Sequence, residues 1–318
     1  MRGWWQDLTD LVLPAECEGC GRPRALLCAA CRAALCGSAP CRVRPVPEPP
    51  GLPVVHAAAP YADSVRAVLL AHKERGALGL AGPLGKALAE AVRAGARGGA
   101  PEPSGLREPP GLQEPLEPPG PREPPDPPHR SDTAARSWVD GTHGGSQGRT
   151  APLALVPVPS SRASVRARGQ DPARRIALAA AGELRRAGIP ARVLAVLRQR
   201  RAVADQAGLD SRQRQANLAG ALEVTAGGGR LLLAAGAGRI VVVDDLMTTG
   251  ASLAEAVRAV HDAYRDAIHD LHKEKNTRVE AVRGRGTDTV RRPSMGRQNA
   301  ITAAVVAAPP DSFGINRN

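Results

Sequence analysis

Aromatic side chains are scarce in this sequence, which has three tryptophans, two tyrosines and one phenylalanine among 318 residues. A buried core must therefore be filled mainly by alanine, valine and leucine. Stacking of an aromatic ring on a ligand has few residues to rely on, and Tyr61 and Phe313 are the candidates. The length allows one large domain or two smaller ones.

Long apolar runs are also absent. A membrane-spanning helix needs roughly 18 uncharged apolar residues, and the nearest stretch, 226–243, is interrupted by Arg230 and Arg239. Asp7 and Asp10 occupy the place where a secretory signal peptide has its apolar segment. The sequence therefore predicts no membrane insertion and a cytoplasmic location, where clustered cysteines indicate a metal site before disulfides.

Acidic residues are outnumbered, with 31 aspartates and glutamates against 43 lysines and arginines and a net charge of +12. Such a balance favours anionic partners: nucleic acid, phosphorylated metabolites or an acidic surface. Solubility accounts for the excess of arginine equally well. Composition does not decide between anionic partners and solubility.

No cysteine occurs after position 41, and all six lie between residues 17 and 41. Four of them form two CxxC pairs separated by seven residues: Cys17, Cys20, Cys28 and Cys31. Two such pairs suit tetrahedral thiolate coordination of a structural Zn²⁺, although the gap is shorter than the usual ~15–20 residues. Reduced, buried cysteines without a metal are the alternative, and redox chemistry is a third possibility.

The two remaining cysteines, Cys36 and Cys41, do not extend this pattern. Arg44 stands where the CxxC partner of Cys41 would lie. We therefore predict one zinc ion per chain, held in a small zinc-ribbon module at residues 1–45.

The next two segments differ sharply in composition. Residues 54–96 are predicted to be the helical start of the main domain, with two helices at 62–95, because Val65, Val68 and Leu69 recur at helical spacing. Residues 97–150 include twelve prolines between 101 and 128. Such a composition buries too little apolar surface to offset the entropy of ordering, so a disordered insertion is predicted there.

Residues 151–318 alternate between strand and helix patterns. Predicted strands lie at 153–159, 191–197, 239–243 and 302–308, and predicted helices at 171–188 and 251–264. This alternation predicts a parallel sheet covered by helices on both faces, with ligands at the carboxyl ends of the strands.

The pattern breaks after Val260. The helix could continue to about Lys273, but residues 265–300 are basic and largely without period, which predicts a disordered insertion at about 265–300. Contact of this basic segment with nucleic acid is an alternative use. Three histidines here, on a polar helix, more often bind nothing than a metal: His261, His269 and His272.

The segment 240–252, IVVVDDLMTTGAS, carries the strongest functional pattern. A buried strand ends in two adjacent acids, and a hydroxyl-rich turn containing Gly250 leads into a helix. Glycine lets the backbone approach an anion closely, and amides at a helix N-terminus bind phosphate. The paired acids, Asp244 and Asp245, suit the vicinal hydroxyls of a sugar.

A Walker B element and a purely structural turn fit this segment less well. Asp-Asp at a strand end could belong to a Walker B element, but that requires a P-loop, and the nearest candidate, residues 82–87, lacks the motif. A strand, turn and capped helix with no binding role leaves two adjacent acids unexplained by packing.

Residues 240–252 resemble the PRPP-binding signature of type I phosphoribosyltransferases. With the cysteine ribbon and the segments 61–76, 155–169 and 205–222, the chain resembles the ComF family of competence-associated phosphoribosyltransferase-like proteins. The segments follow the order found in that family. The resemblance implies an α/β, type I phosphoribosyltransferase-like fold: a parallel sheet flanked by helices, with an N-terminal zinc-ribbon module.

The resemblance also implies roles for site residues. Asp244 and Asp245 would hold the ribose hydroxyls of PRPP as catalytic residues, with Mg²⁺ bridging pyrophosphate and ribose oxygens. The 5′-phosphate would be bound by Thr248, Thr249, Gly250, Ala251 and Ser252. The loop 160–169 would face the pyrophosphate through Arg162, Arg166 and Arg168, since arginine suits phosphate oxygens. Solvated arginines are the alternative.

The implied activity is transfer of the phosphoribosyl group to a nitrogenous acceptor. We expect acceptor specificity to come from residues before 97 and after 302. The second functional hypothesis is a non-catalytic accessory of DNA uptake or processing, which binds single-stranded DNA or DNA-uptake proteins, or senses a phosphoribosyl ligand. Nucleotide salvage is less expected, because salvage enzymes do not need a cysteine ribbon.

Overall fold

The computed structural model describes residues 16–98, 152–201, 210–235, 240–282 and 301–314, and all of them fall in one unit of the chain. The insertion expected at 97–150 lies outside the described residues except for its first two positions. Residues 1–15 of the cysteine module also lie outside them. Within the described part, no helix combines the length and the apolar composition that crossing a membrane requires.

A six-stranded sheet forms the centre of this unit, in the order β1-β2-β8-β7-β3-β4. All neighbouring strands are parallel except β1 and β2. The strands are β1 (Cys41–Val43), β2 (Val55–Pro60), β3 (Leu153–Pro157), β4 (Ala191–Val193), β7 (Ile240–Leu246) and β8 (Thr302–Ala308). The mostly parallel sheet and the strand at 302–308 are confirmed.

Helices cover both faces of the sheet, as the alternating pattern predicts. They are α1 (Ala29–Cys36), α2 (Asp63–Glu74), α3 (Ala81–Gly98), α4 (Arg162–Arg168), α5 (Pro172–Arg186), α6 (Ser211–Leu218), α7 (Gly228–Ala234) and α8 (Ala251–Val282). Side chains of β7 alternate between the two cores: Val241 and Val243 pack with α2, α3 and α5, and Val242 packs with α7 and α8. Buried alanines and valines fill most of both cores.

The predicted strand 191–197 is two separate elements. It ends at Val193 in the main sheet, and Leu197 begins β5 (Leu197–Gln199), which pairs antiparallel with β6 (Leu222–Val224) in a second, two-stranded sheet. Val196 and Leu197 are buried in the core on the α8 side. An apolar run indicates that a strand is buried but not the sheet to which it belongs. The sequence therefore did not predict that 191–197 is divided between two sheets.

Helix α8 is much longer than expected and runs to Val282, so the first part of the disordered insertion predicted at about 265–300 is helical. Residues 265–282 include two each of alanine, glutamate, lysine and arginine, and no glycine or proline occurs between residue 265 and Gly284. These are strong helix formers. Packing adds support, because Tyr264 and Ala267 are buried. Residues 283–300 lie outside the described residues.

Candidate functional site

A cavity of about 420 Å³ lies at the carboxyl ends of β3 and β7, the edge at which parallel sheets bind ligands. Asp244 and Asp245, near the carboxyl end of strand β7, both line the cavity. Asp245 is buried, and its backbone N–H donates to Asp244 Oδ1 at 2.8 Å. The structure therefore brings the two predicted acids to one cavity wall.

The predicted phosphate loop follows these acids directly. Thr248 and Ser252 line the cavity, whereas Thr249, Gly250 and Ala251 lie between them and contribute no lining side chain. Gly250 has a positive φ of 76°, and a Cβ there would lie 3.0 Å from Leu52 Cδ1. Glycine is therefore required at this turn both by the backbone conformation and by the covering segment.

The predicted pyrophosphate loop 160–169 is mostly helical. Ser161 Oγ accepts the Ser164 N–H at 3.0 Å and caps α4, and Gly169 ends it with φ 70°. Three hydroxyls line the cavity here, those of Ser160, Ser161 and Ser164.

Only one of the three predicted arginines of α4 is shown on the cavity wall. Arg168 lines it, and Arg166 is exposed and is not part of the lining. Side chains of residues i and i+2 on a helix are about 200° apart around its axis. Arg166 and Arg168 therefore leave α4 in nearly opposite directions and do not face one ligand together. Arg162 opens the helix, and its side chain lies outside the described part of the structure.

A fourth charged residue in the cavity, Lys73, was not predicted from the sequence. Its Nζ lies 3.2 Å from Asp245 Oδ2. The carboxylate of Asp245 is the main cause that raises the pKa of Lys73, with burial opposing it and Asp244 adding to it. The sequence did hold a signal: Lys73 follows Val65 and Leu69 at helical spacing, which puts a charge beside the apolar face of α2.

The end of α2 makes three ion pairs in succession. After the Lys73–Asp245 pair, Glu74 Oε1 lies 3.4 Å from Arg168 Nη2, and Arg75 Nη2 lies 2.6 Å from Glu18 Oε2. Such half-exposed pairs contribute little stability individually. Their geometric effect is larger, because one helix end contacts β7, α4 and the cysteine module at once.

Another part of the cavity wall comes from the second sheet and its neighbouring helix. Gln199 of β5, Leu218 of α6 and Leu222 of β6 line the cavity there. None of these three residues lies before 97 or after 302, the regions from which acceptor specificity is predicted to come. Tyr61 and Phe313 pack against the two cores and are not lining residues, so this wall offers an amide and two leucines.

The four predicted zinc ligands form one cluster. The Sγ atoms of Cys17, Cys20, Cys28 and Cys31 all lie within 4.8 Å of one another. Cys20 Sγ and Cys28 Sγ are 3.6 Å apart, and the Cys28 N–H donates to Cys17 Sγ at 3.3 Å. Sulfurs ~2.3 Å from a tetrahedral zinc lie about 3.8 Å apart, so this cluster could hold a metal such as zinc with little movement.

The electrostatics of this cluster also favour a cation. Burial opposes ionisation of Cys17, but N–H donors of Cys28, Gly19 and Cys20 lower its pKa to about 6. Burial and the neighbouring thiols raise the pKa of Cys31 to about 12. Four thiolates together therefore require a positive ion among them.

The other two cysteines stand apart from the cluster. Cys36 Sγ is 3.9 Å from the Pro83 carbonyl oxygen, and Cys41 is exposed at the start of β1.

No family model, no curated protein and no solved structure matches this chain. What the molecule does is therefore argued from the cavity and the cysteine cluster.

Among the ionisable groups that line the cavity, Asp244 has the pKa that departs furthest from its usual value. Burial and the charge of Asp245 raise its pKa well above the usual 3.8, with Lys73 offsetting part of the effect. A raised folded-state pKa means that stability is lost as the pH rises from the unfolded value through the folded one. Ionisation of Asp244 therefore lowers the stability of the folded protein as the pH rises.

We expect Asp244→Asn to stabilise the ligand-free protein by about 0.5–2 kcal/mol at pH 7.5, because it removes this buried charge. The gain should shrink toward pH 4.5, where less of the carboxylate is ionised. Urea unfolding at both pH values measures it. Asp266→Asn, at an exposed position of α8, is the matched control. A gain that does not depend on pH would contradict this account.

Proposed function

We propose that the chain binds PRPP with Mg²⁺ in this cavity and transfers the phosphoribosyl group to a nitrogenous acceptor, on a type I phosphoribosyltransferase-like fold. The observation that carries the proposal is the content of one cavity at the sheet edge. It combines paired carboxylates, a hydroxyl loop at the start of a helix and two cationic side chains. The resemblance to the ComF family points to the same ligand.

Each part of PRPP has a matching wall. The carboxylates of Asp244 and Asp245 accept hydrogen bonds from the ribose hydroxyls. Thr248, Ser252 and the first amides of α8 bind the 5′-phosphate, aided by the helix dipole. Arg168 and the serine hydroxyls of α4 bind the pyrophosphate.

The Asp-Asp pair also fits the magnesium that accompanies PRPP. Its surplus negative charge, seen in the raised pKa of Asp244, is what a divalent ion or a hydroxyl donor relieves. Mg²⁺ bound there would offset the negative charge of the departing pyrophosphate.

The reaction needs little from the protein beyond position and charge. The acceptor nitrogen attacks ribose C1, a C–N bond forms, and the C1–O bond breaks with its electron pair leaving on pyrophosphate. Preorganised donors and cations stabilise the departing charge. Gln199, Leu218 and Leu222 face the remaining space, where the acceptor would bind.

The cysteine cluster has a structural part in this proposal, as a zinc ribbon. Four thiolates complete a tetrahedron and leave no open coordination position for chemistry. Arg75 and Glu18 link the ribbon to the helix that carries Lys73.

Pyrophosphate release tests the function. The protein is incubated with PRPP, Mg²⁺ and a panel of nucleobases and other nitrogenous acceptors, and released pyrophosphate is measured. We expect release that depends on one acceptor class. Absence of PRPP binding by calorimetry would refute the proposal.

The resemblance to the competence-associated ComF family gives a second candidate, a non-catalytic accessory role in DNA uptake, and the net charge of +12 is compatible with an anionic partner. Salt-sensitive single-stranded DNA binding without any pyrophosphate release would support this role instead.

A further inference from the structure

An ion pair on α8, outside the predicted motifs, forms hydrogen bonds with the backbone of a residue that lines the cavity. Glu255 Oε1 accepts the Leu222 N–H at 3.1 Å, and Arg258 Nη2 donates to the Leu222 carbonyl oxygen at 3.1 Å. Both backbone groups of Leu222 that face α8 are therefore bound by a single carboxylate–guanidinium pair. We call this arrangement of Glu255, Arg258 and the Leu222 backbone the Leu222 clamp.

The pair itself is well defined. Arg258 Nε and Nη2 each lie 2.8 Å from a different oxygen of Glu255, the two-pronged geometry that gives arginine its directional strength. The Glu255 side chain is only 6% exposed. Burial alone would raise its pKa, but hydrogen bonds from Arg258 and the Leu222 N–H outweigh that effect and lower the pKa. Glu255 thus stays charged, and its position is fixed.

The clamp acts on the part of the cavity wall formed by Gln199 and Leu222. Leu222 pairs directly with Gln199 in the two-stranded sheet, and both side chains line the cavity. A shift of Leu222 would therefore carry Gln199 with it.

The same helix begins at the phosphate loop. Ser252, another lining residue, lies one turn before Glu255 on α8. Because helix α8 follows the phosphate loop directly and also binds the Leu222 backbone, it sets the distance between the loop and the Gln199–Leu222 wall.

We propose that Glu255 and Arg258 are positioning residues, which fix the Gln199–Leu222 wall at the spacing from the phosphate loop that the complete ligand requires. The proposal rests on the proposed function for its ligand and on the described contacts for its geometry. It predicts that breaking the clamp weakens ligands that span the cavity and spares ligands that fill only the loop and the acids.

The test compares two probes on three variants. Arg258→Met removes the donor to Leu222. The double variant Glu255→Gln with Arg258→Met avoids leaving a buried carboxylate without its partner. Asp262→Ala is the matched control, because Asp262 contacts Arg258 at 2.7 Å from the exposed side and does not contact Leu222. The probes are the nucleoside 5′-monophosphate that wild type binds most tightly among AMP, GMP, CMP and UMP, whose base would reach the Gln199–Leu222 wall, and ribose 5-phosphate, which would not.

For both clamp variants we expect the Kd of the nucleoside 5′-monophosphate to rise ~10-fold, the size of about one lost hydrogen bond between the ligand and the wall. The Kd of ribose 5-phosphate should change less than about 2-fold, and the control should behave as wild type. An equal loss for both probes would show general destabilisation and overturn the proposal, as would no loss for either.

Amide hydrogen exchange separates this inference from the proposed function. Exchange of the peptides covering β5 and β6 should accelerate at least ~10-fold in the clamp variants, and the peptides covering β7 and β8 should keep their protection. If wild type binds neither probe, the proposed function fails. Hydrogen exchange alone then tests whether the Leu222 clamp holds β5 and β6 in place. Unchanged exchange in β5 and β6 would then overturn it.

Discussion

Asp245→Ala is expected to raise the Kd of PRPP with Mg²⁺ at least ~100-fold. The lost carboxylate would accept two hydrogen bonds from ribose hydroxyls, and hydrogen bonds to a charged group contribute about 1.5–3 kcal/mol each. The Asp245 side chain is only 8% exposed and pairs with Lys73, so solvent cannot replace it without rearrangement. Calorimetric titration of the variant with PRPP measures the effect.

Two comparisons make this result specific. Asp266→Ala removes an exposed carboxylate of α8 and should leave the PRPP affinity unchanged. Asp245→Asn keeps one acceptor oxygen and should fall between wild type and alanine. Thermal unfolding of each variant shows whether it is folded. Unchanged PRPP affinity in a folded Asp245→Ala protein would exclude this ribose site.

Cys31→Ser is expected to remove the bound metal and to destabilise the module. Elemental analysis of the purified wild type should give close to one zinc per chain, because the four Sγ atoms form one cluster. Cys31 is buried beside Val68 of α2, with Gly19 packed between them. Loss of a structural zinc removes folding free energy directly, so the melting temperature should fall by several degrees or more.

Cys41→Ser is the matched control for this experiment. Cys41 is exposed and lies outside the cluster, so its replacement should keep both the zinc content and the melting temperature. Wild-type protein without zinc would refute the ribbon. Full zinc content in Cys31→Ser would remove Cys31 from the ligand set.

Contiguous features of the site were predictable from the sequence. The segment 240–252 holds its strand, acids, turn and helix start within one short stretch, so local pattern alone places Asp244, Asp245, Thr248 and Ser252 near one another. The two CxxC pairs are equally local, and their cluster is confirmed as a group that could hold a metal.

Features that depend on distant parts of the chain were not predictable in the same way. Lys73 reaches Asp245 only because α2 packs against the edge of the sheet. The wall of Gln199 and Leu222 comes from strands of three residues each, too short for periodicity to reveal. The Leu222 clamp needs a helix residue to meet a backbone 33 positions away. Tertiary packing decides these contacts, and no local pattern encodes them.

Local conformation explains why Arg168 lines the cavity and Arg166 does not. The resemblance to the family implies that Arg162, Arg166 and Arg168 face the pyrophosphate from a loop at 160–169. The Ser161 cap and Gly169 make the segment helical instead, and a helix distributes neighbouring side chains around its axis.

The three successive ion pairs at the end of α2 constrain chain length as much as residue identity. Inserting or deleting one residue between Val65 and Lys73 would rotate the helix end by about 100° relative to its buried face. Lys73, Glu74 and Arg75 would then all lose their partners together. Single substitutions remove these contacts one at a time, whereas a change of one residue in length would uncouple the cavity from the cysteine module in a single event.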